Sequence, residues 1–379
     1  MKYRLKETIQ DSNINFLLGS GLSLPYLKTL GNIETWLTDL ESSGFDLESK
    51  KIIKASLYKE FFDGVISKNP KMLDGDSDSK SVLASYSDFL RHLNSILLRR
   101  KSTILSKEVN LFTTNIDVFL EKALEEANLE FNDGFNGRFS PIFSLSNFKK
   151  SRYKRSLHYD NVSEIPVFNL LKLHGSLSWN LTTGNRIAFS ANLGQVTDVI
   201  GKLQDARKEL LDVANDATIA TLGIAAVDMK VDPSVEAFVE AYEKLLIVNP
   251  TKEKFKLTLL NQTYYELLRL YANELEKENT VLFVMGFSFA DEHIREITLR
   301  AANSNPTLVV YIIAHSASAK AEIEARFTPE SITNRNIEFI QPPQDETTGS
   351  DKYKYDLATI NKELFGNLFQ GEDIADSSA

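Results

Sequence analysis

Short runs of consecutive apolar residues, each about as long as one β-strand, recur along the chain. Strands that are apolar on both faces are typical of a parallel sheet covered by helices on both sides. Segments with helical periodicity (117–128, 252–277, 290–303 and 317–326) separate several of these runs. This alternation predicts an α/β fold with a Rossmann-like parallel sheet flanked by helices. The predicted strands are Ile14–Leu18, Val109–Thr113, Val167–Leu171, Leu245–Val248, Val281–Val284 and Leu308–Ile313.

Two stretches interrupt the alternation of strand and helix. Residues 46–105 and 181–243 have mostly amphipathic helical patterns, and we expect them to pack together as a helical insertion module beside or over the sheet. The Rossmann-like core is then discontinuous. A linker, a helix and a tail (from Gly371) are expected over residues 342–379. The predicted core segments are residues 12–45, 106–180 and 244–341.

Composition narrows the classes of function. The chain of 379 residues has 43 basic and 52 acidic side chains, which gives a net charge of −9 and no overall attraction to nucleic acid. It contains no cysteine, which excludes a disulfide, a thiolate nucleophile and a cysteine-ligated zinc site. The first residues lack the apolar region of a secretion signal, and no apolar run approaches the roughly 20 residues that span a bilayer. We therefore expect a soluble, cytoplasmic protein that makes no membrane contact.

Four motifs with polar or glycine residues follow predicted strands. Because the carboxyl ends of parallel strands meet at one edge of a sheet, a single crevice there can collect all of them. The motifs are Gly19-Ser20-Gly21-Leu22-Ser23, Thr113-Thr114-Asn115-Ile116-Asp117, His174-Gly175 and Gly286-Phe287-Ser288.

Each motif also has a purely structural interpretation. The glycines suit a plain turn as well as a turn whose backbone approaches a phosphate. Asn115 or Asp117 is equally suited to capping a helix, and Asp291 is suited to capping the helix that follows it. His174 fits a strand-end histidine as well as a general base. Asp291 and His293 are badly spaced for joint metal binding on a helix, so no metal site is predicted.

Taken in order, the four motifs resemble the NAD-binding core of sirtuins. They look most like the sirtuin-like NAD-hydrolase domains of bacterial anti-phage defence, of the type encoded beside a HerA-type ATPase. The resemblance implies that the first motif holds the NAD pyrophosphate and that the last lies near the adenosine half. The implied NAD-binding residues are Gly19, Ser20, Gly21, Ser23, Thr113, Thr114, Gly175, Gly286 and Ser288.

The same resemblance implies three catalytic residues. His174 matches the catalytic histidine and would act as a base. Asn115 and Asp117 match the residues beside the nicotinamide ribose and the nicotinamide. Asn115 would orient water or ribose, and Asp117 would stabilise positive charge or bind the carboxamide.

Several positions depart from the sirtuin pattern. Thr114 stands where a glutamine is expected, Leu24–Lys28 replaces an Asp-Phe-Arg run, and Ala314–Ser316 replaces an asparagine near the adenosine ribose. The cysteines of the zinc ribbon are absent. These departures argue against protein deacylation and favour water as the acceptor. The implied activity is an NAD glycohydrolase (NADase) with NAD as substrate and no zinc, which depletes cellular NAD during abortive infection.

The resemblance also implies a homo-oligomer and a HerA-type hexameric ATPase as partner. The basic segment 149–155 is compatible with nucleic acid, which such a partner could equally bring, or with a solvated loop. Two alternative functions stay open: a non-catalytic NAD or ADP-ribose sensor subunit of a defence complex, and a nucleic-acid-binding or nuclease subunit. The presence of Asn115 and His174 favours the enzyme over the sensor. The basic residues of the segment are Lys149, Lys150, Arg152, Lys154 and Arg155.

Overall fold

The computed structural model describes residues 2–100, 104–214, 216–249, 258–327, 332–345 and 347–366. Its strands are β1 (Asn13–Leu18), β2 (Glu108–Thr113), β3 (Phe131–Asn132), β4 (Phe135–Asn136), β5 (Ile142–Phe143), β6 (Arg152–Arg155), β7 (Val162–Ile165), β8 (Val167–Lys172), β9 (Trp179–Leu181), β10 (Ile187–Phe189), β11 (Thr280–Met285), β12 (Leu308–Ile313) and β13 (Ile337–Ile340). Its helices are α1 (Lys2–Asp11), α2 (Ile33–Ser42), α3 (Leu47–Phe61), α4 (Asn69–Leu73), α5 (Lys80–Leu98), α6 (Phe119–Glu126), α7 (Gly194–Ala206), α8 (Ile219–Ala226), α9 (Pro233–Glu243), α10 (Thr258–Leu275), α11 (Glu292–Ser304), α12 (Ala317–Glu324) and α13 (Leu357–Ile360).

A seven-stranded sheet forms the centre of the described chain, in the order β13-β12-β11-β1-β2-β8-β3. Every neighbouring pair in it is parallel. The α/β, Rossmann-like fold predicted from the sequence is therefore confirmed. The chain leaves β1 towards β2 on one side and later returns to β11 on the other, so the strand order reverses beside β1. Crevices at such a reversal are the usual ligand sites of open α/β sheets.

The register aligns the ends of the four central strands. Leu18 is paired with both Met285 and Thr113, and Thr113 is paired with Lys172. The loops that follow these four residues therefore start side by side at one edge of the sheet. The four sequence motifs all start within two residues of this row.

Five of the six predicted strands are present, and the prediction for Leu245–Val248 is wrong. This run follows α9 directly and crosses the end of β8, where Ile247 forms an isolated antiparallel bridge with Gly175. The Val248 N–H donates to the His174 carbonyl at 2.9 Å. Its apolar side chains are buried by packing over the sheet edge, and the sequence pattern cannot distinguish that from burial within the sheet.

Alternate residues of each central strand enter two separate cores. Phe16 faces the layer that contains α5, with its ring 5.1 Å from that of Phe89. Leu17 belongs to the opposite core, where Phe112 packs against Tyr271 of α10 with ring centres 4.9 Å apart. The predicted helices around residues 119–126, 292–304 and 317–324 are confirmed, as is the described part of α10. Residues 252–257 of that prediction lie outside the described residues.

Helices from the two predicted insertions contact one another. α3 packs against α8 and α9, and α7 packs against α9. The rings of Tyr58 and Tyr242 stack with centres 4.3 Å apart. Two parts differ from the expected helical module. α5 packs on the sheet instead, and residues 179–189 form the β9–β10 hairpin of a small antiparallel sheet with β4 and β5.

The end of the described C-terminal segment, from Leu357 to Phe365, packs into the core. α13 continues into a π-helical turn at Asn361–Phe365, which packs on α5. The Phe365 ring lies 5.8 to 5.9 Å from the rings of Phe16, Phe89 and Phe283. The predicted tail, Gly371–Ala379, lies outside the described residues. Among the described helices, none is long and apolar enough to cross a membrane.

Candidate functional site

The glycine turn after β1 interlocks with the turn after β11. The Gly19 N–H donates to the Met285 carbonyl at 2.9 Å, and the Gly21 N–H donates to the Gly286 carbonyl at 3.0 Å. A Cβ on Gly19 would lie 2.4 Å from the Gly286 carbonyl oxygen, and Gly286 has a φ of +63°. Glycine is needed here because the two backbones touch each other. These two N–H groups therefore bind protein carbonyls, whereas the sequence suggests a turn that presents its N–H groups to a phosphate.

Thr113 and Asp117 fix the turn after β2. The Thr113 hydroxyl donates to the Leu18 carbonyl at 2.9 Å and accepts the Asn115 N–H at 3.0 Å. Asp117 Oδ1 accepts the N–H of Phe119, the first residue of α6, at 3.2 Å. Its Oδ2 accepts the Ser23 hydroxyl at 2.8 Å. Asp117 thus binds a backbone donor at the start of α6 and also bonds to Ser23, which lines the pocket.

Asn115 has an amide oxygen that accepts no hydrogen bond from any described residue. Its Nδ2 lies 3.4 Å from both Ser23 Oγ and Tyr86 Oη. Its Oδ1 is buried and has no hydrogen-bond partner among the described residues, and the same is true of Asn249 Oδ1. Buried polar atoms are nearly always hydrogen-bonded to protein, water or ligand. These two amide oxygens line one cavity and lack partners in the described part of the chain, and they therefore call for donors from water or a bound molecule.

His174 is held by a carboxylate. Its Nε2 lies 3.1 Å from Asp291 Oδ2. The other oxygen, Asp291 Oδ1, caps α11 by accepting the N–H groups of His293 at 3.0 Å and Ile294 at 3.2 Å. When Nε2–H donates to the carboxylate, the neutral imidazole keeps its lone pair on Nδ1. Nδ1 of His174 can therefore act as a base, and the Asp291 carboxylate orients the imidazole.

A buried ion pair lies next to the Asp117 main chain. Lys172 Nζ lies 3.2 Å from Glu121 Oε1 and also donates to the Asp117 carbonyl. The Ser176 hydroxyl donates to Glu121 Oε1 at 3.2 Å. Burial raises the pKa of Glu121, and Lys172 opposes that shift. These contacts tie the end of β8 to α6 and fix the backbone on which Asp117 is carried.

The motifs surround one cavity of about 410 Å³, a size within the usual range of small-molecule sites. Its floor is the carboxyl edge of the sheet, and α3 contributes Phe61 to the wall, with Val65 following in the adjoining π-helical turn. Gly19, Thr113 and Gly175 are not among the described lining residues. They contribute to the backbone conformation around the cavity. Of the residues predicted from the sequence, those that line it are Ser20, Gly21, Ser23, Thr114, Asn115, Asp117, His174, Gly286 and Ser288.

The charge of the lining is mostly negative. Within the described ranges, Lys28 is the one lysine or arginine that lines the cavity, whereas Glu34, Asp117 and Asp291 supply carboxyl groups. Lys28 Nζ is itself 3.2 Å from Glu60. Carboxylate and amide oxygens stabilise positive charge on a bound molecule, and the lysine can meet an anionic group.

No family model and no curated protein sequence matches this chain. The function is therefore argued from the cavity and its residues.

Three site residues are missed or only partly recognised in the sequence. The pattern assigns Tyr86 to a helical insertion, yet its hydroxyl contacts Ser23 and Asn115. Tyr86 lies on the same apolar stripe as Phe89 and Leu90. A hydroxyl group on this buried face is the one sequence feature that could have indicated a role at the site. Asn249 gives no such signal. Asp291 is predicted as a cap, which it is, but its contact with His174 joins positions 117 residues apart.

The basic segment forms a hairpin instead of a loop. β6 and β7 pair in antiparallel register from Arg152↔Ile165 to Arg155↔Val162. Part of the charge is matched by acidic neighbours, since Arg152 lies 2.9 Å from Glu130 and Lys149 lies 3.4 Å from Glu274. The hairpin leads into the amino end of β8, at the sheet edge opposite the cavity. In the described part of the chain, no group of three or more acidic or histidine residues is arranged to hold a metal ion.

Proposed function

We propose that this chain is an NAD glycohydrolase related to sirtuins, which cleaves NAD to nicotinamide and ADP-ribose. The observation that carries the proposal is the convergence of four separate motifs on one cavity at the strand reversal. That cavity combines a carboxylate-held histidine with a buried amide oxygen that lacks a partner among the described residues. Capping or turn formation alone would account for each motif but not for this arrangement.

The chemistry of the substrate fits such a lining. The bond between the ribose C1′ and the nicotinamide nitrogen breaks, and its electron pair neutralises the pyridinium nitrogen. Positive charge then builds on the ribose in an oxocarbenium-like transition state. Water adds to C1′ and loses a proton to a base. The sum is NAD and water giving nicotinamide, ADP-ribose and a proton.

Three residues are assigned roles in that reaction. His174, held by Asp291, accepts the proton of the attacking water. Asn115 Oδ1 accepts a hydrogen bond from water or ribose and thereby orients it. Asp117 stabilises the positive charge electrostatically. Ser20, Ser23, Gly286 and Ser288 then lie beside the remainder of the dinucleotide.

The biological setting is part of the same proposal and rests on the resemblance of the motifs. The protein would act in the cytoplasm as an effector of anti-phage defence and deplete NAD when activated. Its partners would be further copies of itself and a HerA-type hexameric ATPase. Zinc would not be required, because the chain has no cysteine for a zinc ribbon.

The decisive experiment incubates the purified protein with NAD, alone and with a HerA-type hexameric ATPase. We expect nicotinamide and ADP-ribose without any acylated peptide. We expect His174→Ala and Asn115→Ala each to lower turnover by about 100-fold or more, with a much smaller loss of NAD affinity by calorimetry. His158→Ala, at the exposed tip of the β6–β7 hairpin, is the matched control and should keep full turnover.

Other results would contradict the proposal in distinct ways. Turnover that requires an acylated peptide would indicate a deacylase. NAD or ADP-ribose binding without turnover in any assembly would indicate the sensor subunit. Absence of both, with nucleic acid bound through the hairpin, would favour the nucleic-acid-binding alternative.

A further inference from the structure

Four buried polar side chains from three separate segments meet beside the cavity. Tyr86 of α5 lies 3.0 Å from Ser23 Oγ, oxygen to oxygen, and Ser23 donates to Asp117 at 2.8 Å. The Asn115 amide nitrogen lies 3.4 Å from both hydroxyl oxygens. Each of the four residues is at most 4% exposed. The contacts among the four side chains are therefore shielded from bulk solvent.

The direction of every hydrogen bond in this group follows from Asp117. An ionised carboxylate only accepts, so the Ser23 hydroxyl must donate its single proton to Asp117. The Ser23 oxygen is then left to accept, and the Tyr86 hydroxyl donates to it. Burial and the nearby Asp117 carboxylate raise the pKa of Tyr86, so its hydroxyl keeps the proton that it donates.

This order decides which end of the Asn115 amide faces the hydroxyls. Both hydroxyl protons are already committed, so the two oxygens present lone pairs to Asn115. The NH₂ group can donate to them. If the amide were rotated by 180°, its Oδ1 would lie against two lone-pair-bearing oxygens with no proton between them, which is repulsive. The observed orientation leaves Oδ1 buried with no partner among the described residues.

We propose that Tyr86, together with Ser23 and Asp117, is a positioning residue that fixes the Asn115 amide with Oδ1 as a hydrogen-bond acceptor for the substrate site. The ligand atom that meets Asn115 is therefore a hydrogen-bond donor, and for the proposed NAD cleavage that donor is a ribose hydroxyl or the attacking water. The catalytic consequence rests on the proposed NADase function, whereas the amide orientation does not.

The kinetic test is Tyr86→Phe, which removes one oxygen and keeps the ring that stacks on Phe119 with centres 5.5 Å apart. We expect kcat for NAD cleavage to fall about 10-fold or more with KM nearly unchanged. Tyr242→Phe is the matched control, because it removes a buried hydroxyl that has no partner among the described residues. We expect it to retain the wild-type kcat.

A double variant tests whether Tyr86 acts through Asn115. In an Asn115→Ala background, Tyr86→Phe should change kcat by less than about 2-fold, because two residues of one interaction are not additive. Full additivity in the double variant, or a wild-type kcat in folded Tyr86→Phe, would overturn the proposal.

Analogues of NAD that lack one hydroxyl of the nicotinamide ribose distinguish the two donors. If a ribose hydroxyl is the donor, the analogue without it binds wild type and Asn115→Ala equally weakly. If water is the donor, every analogue binds wild type like NAD, and Asn115→Ala lowers only kcat. If wild type and Asn115→Ala bind and cleave NAD and every analogue alike, the acceptor role of Asn115 is contradicted.

The amide orientation has a readout that does not depend on activity. In protein with ¹⁵N-labelled asparagine, the Asn115 side-chain NH₂ signals, assigned by their loss in Asn115→Ala, should shift in Tyr86→Phe and stay unchanged in Tyr242→Phe. If wild type neither binds nor cleaves NAD, the proposed function fails. This measurement still tests whether Tyr86 fixes the orientation of the Asn115 amide. Unchanged NH₂ signals in Tyr86→Phe would refute the positioning role of Tyr86, even if the enzyme is active.

Discussion

The His174 imidazole and the Asp291 carboxylate lie 3.1 Å apart, although 117 residues separate them in the chain. His174 follows β8 and Asp291 caps α11, so the contact spans the strand reversal from one side of β1 to the other. The carboxylate uses one oxygen for the imidazole and one for the helix N-terminus. Helix geometry thereby fixes the orientation of the candidate base.

Asp291→Asn separates these two uses. Asparagine still caps a helix well, so we expect α11 and the melting temperature to be nearly unchanged. The imidazole loses its anionic partner and its preferred tautomer, and turnover should fall about 100-fold or more. The measurement is NAD turnover together with thermal melting. A well-folded variant with wild-type turnover would show that His174 does not depend on Asp291.

Gly19→Ala tests the contact between the β1 and β11 turns. The added Cβ would lie 2.4 Å from the Gly286 carbonyl oxygen, so one of the two backbones must move. We expect a loss of about 1–3 kcal/mol in the free energy of unfolding, the usual effect of overpacking, and weaker NAD binding.

Gly201→Ala is the matched control for that variant. Gly201 lies inside α7, and a Cβ added there would have no described atom within 4 Å, so alanine adds helix propensity without a clash. We expect it to stabilise the protein by about 0.5–1 kcal/mol. Equal melting temperatures for the two variants would contradict the interlocked turns.

The sequence predicts the central strands because burial on both faces leaves a continuous apolar run. It fails where burial has another cause. Leu245–Val248 is apolar because it covers the end of β8, and β13 is too short and too mixed to be distinguished. The site is recognisable where motif residues follow strands. Tyr86 and Asn249 are missed because only tertiary contacts bring them to the cavity, and no local spacing records those contacts.

Phe365→Ala tests the role of the C-terminal segment, which the sequence predicts as a linker, a helix and a tail. The Phe365 ring packs among Phe16, Phe89 and Phe283, on both sheet and α5. We expect a loss of about 3–5 kcal/mol in the free energy of unfolding by denaturant titration. Leu98→Ala is the control, since Leu98 is 54% exposed and should change stability by about 0.5 kcal/mol or less. Comparable losses in the two variants would contradict the core position of Phe365.

Asp46 gives a prediction for the pH dependence of stability. It caps α3, the helix that carries Phe61 into the cavity wall, by accepting the Ser49 N–H at 3.0 Å and the Ser49 hydroxyl at 2.7 Å. The backbone bond, followed by the side-chain bond, lowers the pKa of Asp46 below its ordinary value of 3.8. The folded state therefore favours the carboxylate. Its stabilisation is complete above the ordinary pKa and is lost as the pH falls through the lowered value.

Asp46→Asn retains one oxygen for the Ser49 N–H but cannot titrate. We expect the melting temperature of wild type to fall more steeply than that of Asp46→Asn between about pH 5 and pH 2, because only wild type loses a charged cap on protonation. Asp198→Asn removes the same charge from an exposed position on α7 and controls for net charge. If the Asp46→Asn curve runs parallel to wild type while Asp198→Asn does not, the acid sensitivity comes from overall charge and the cap of α3 contributes nothing to it.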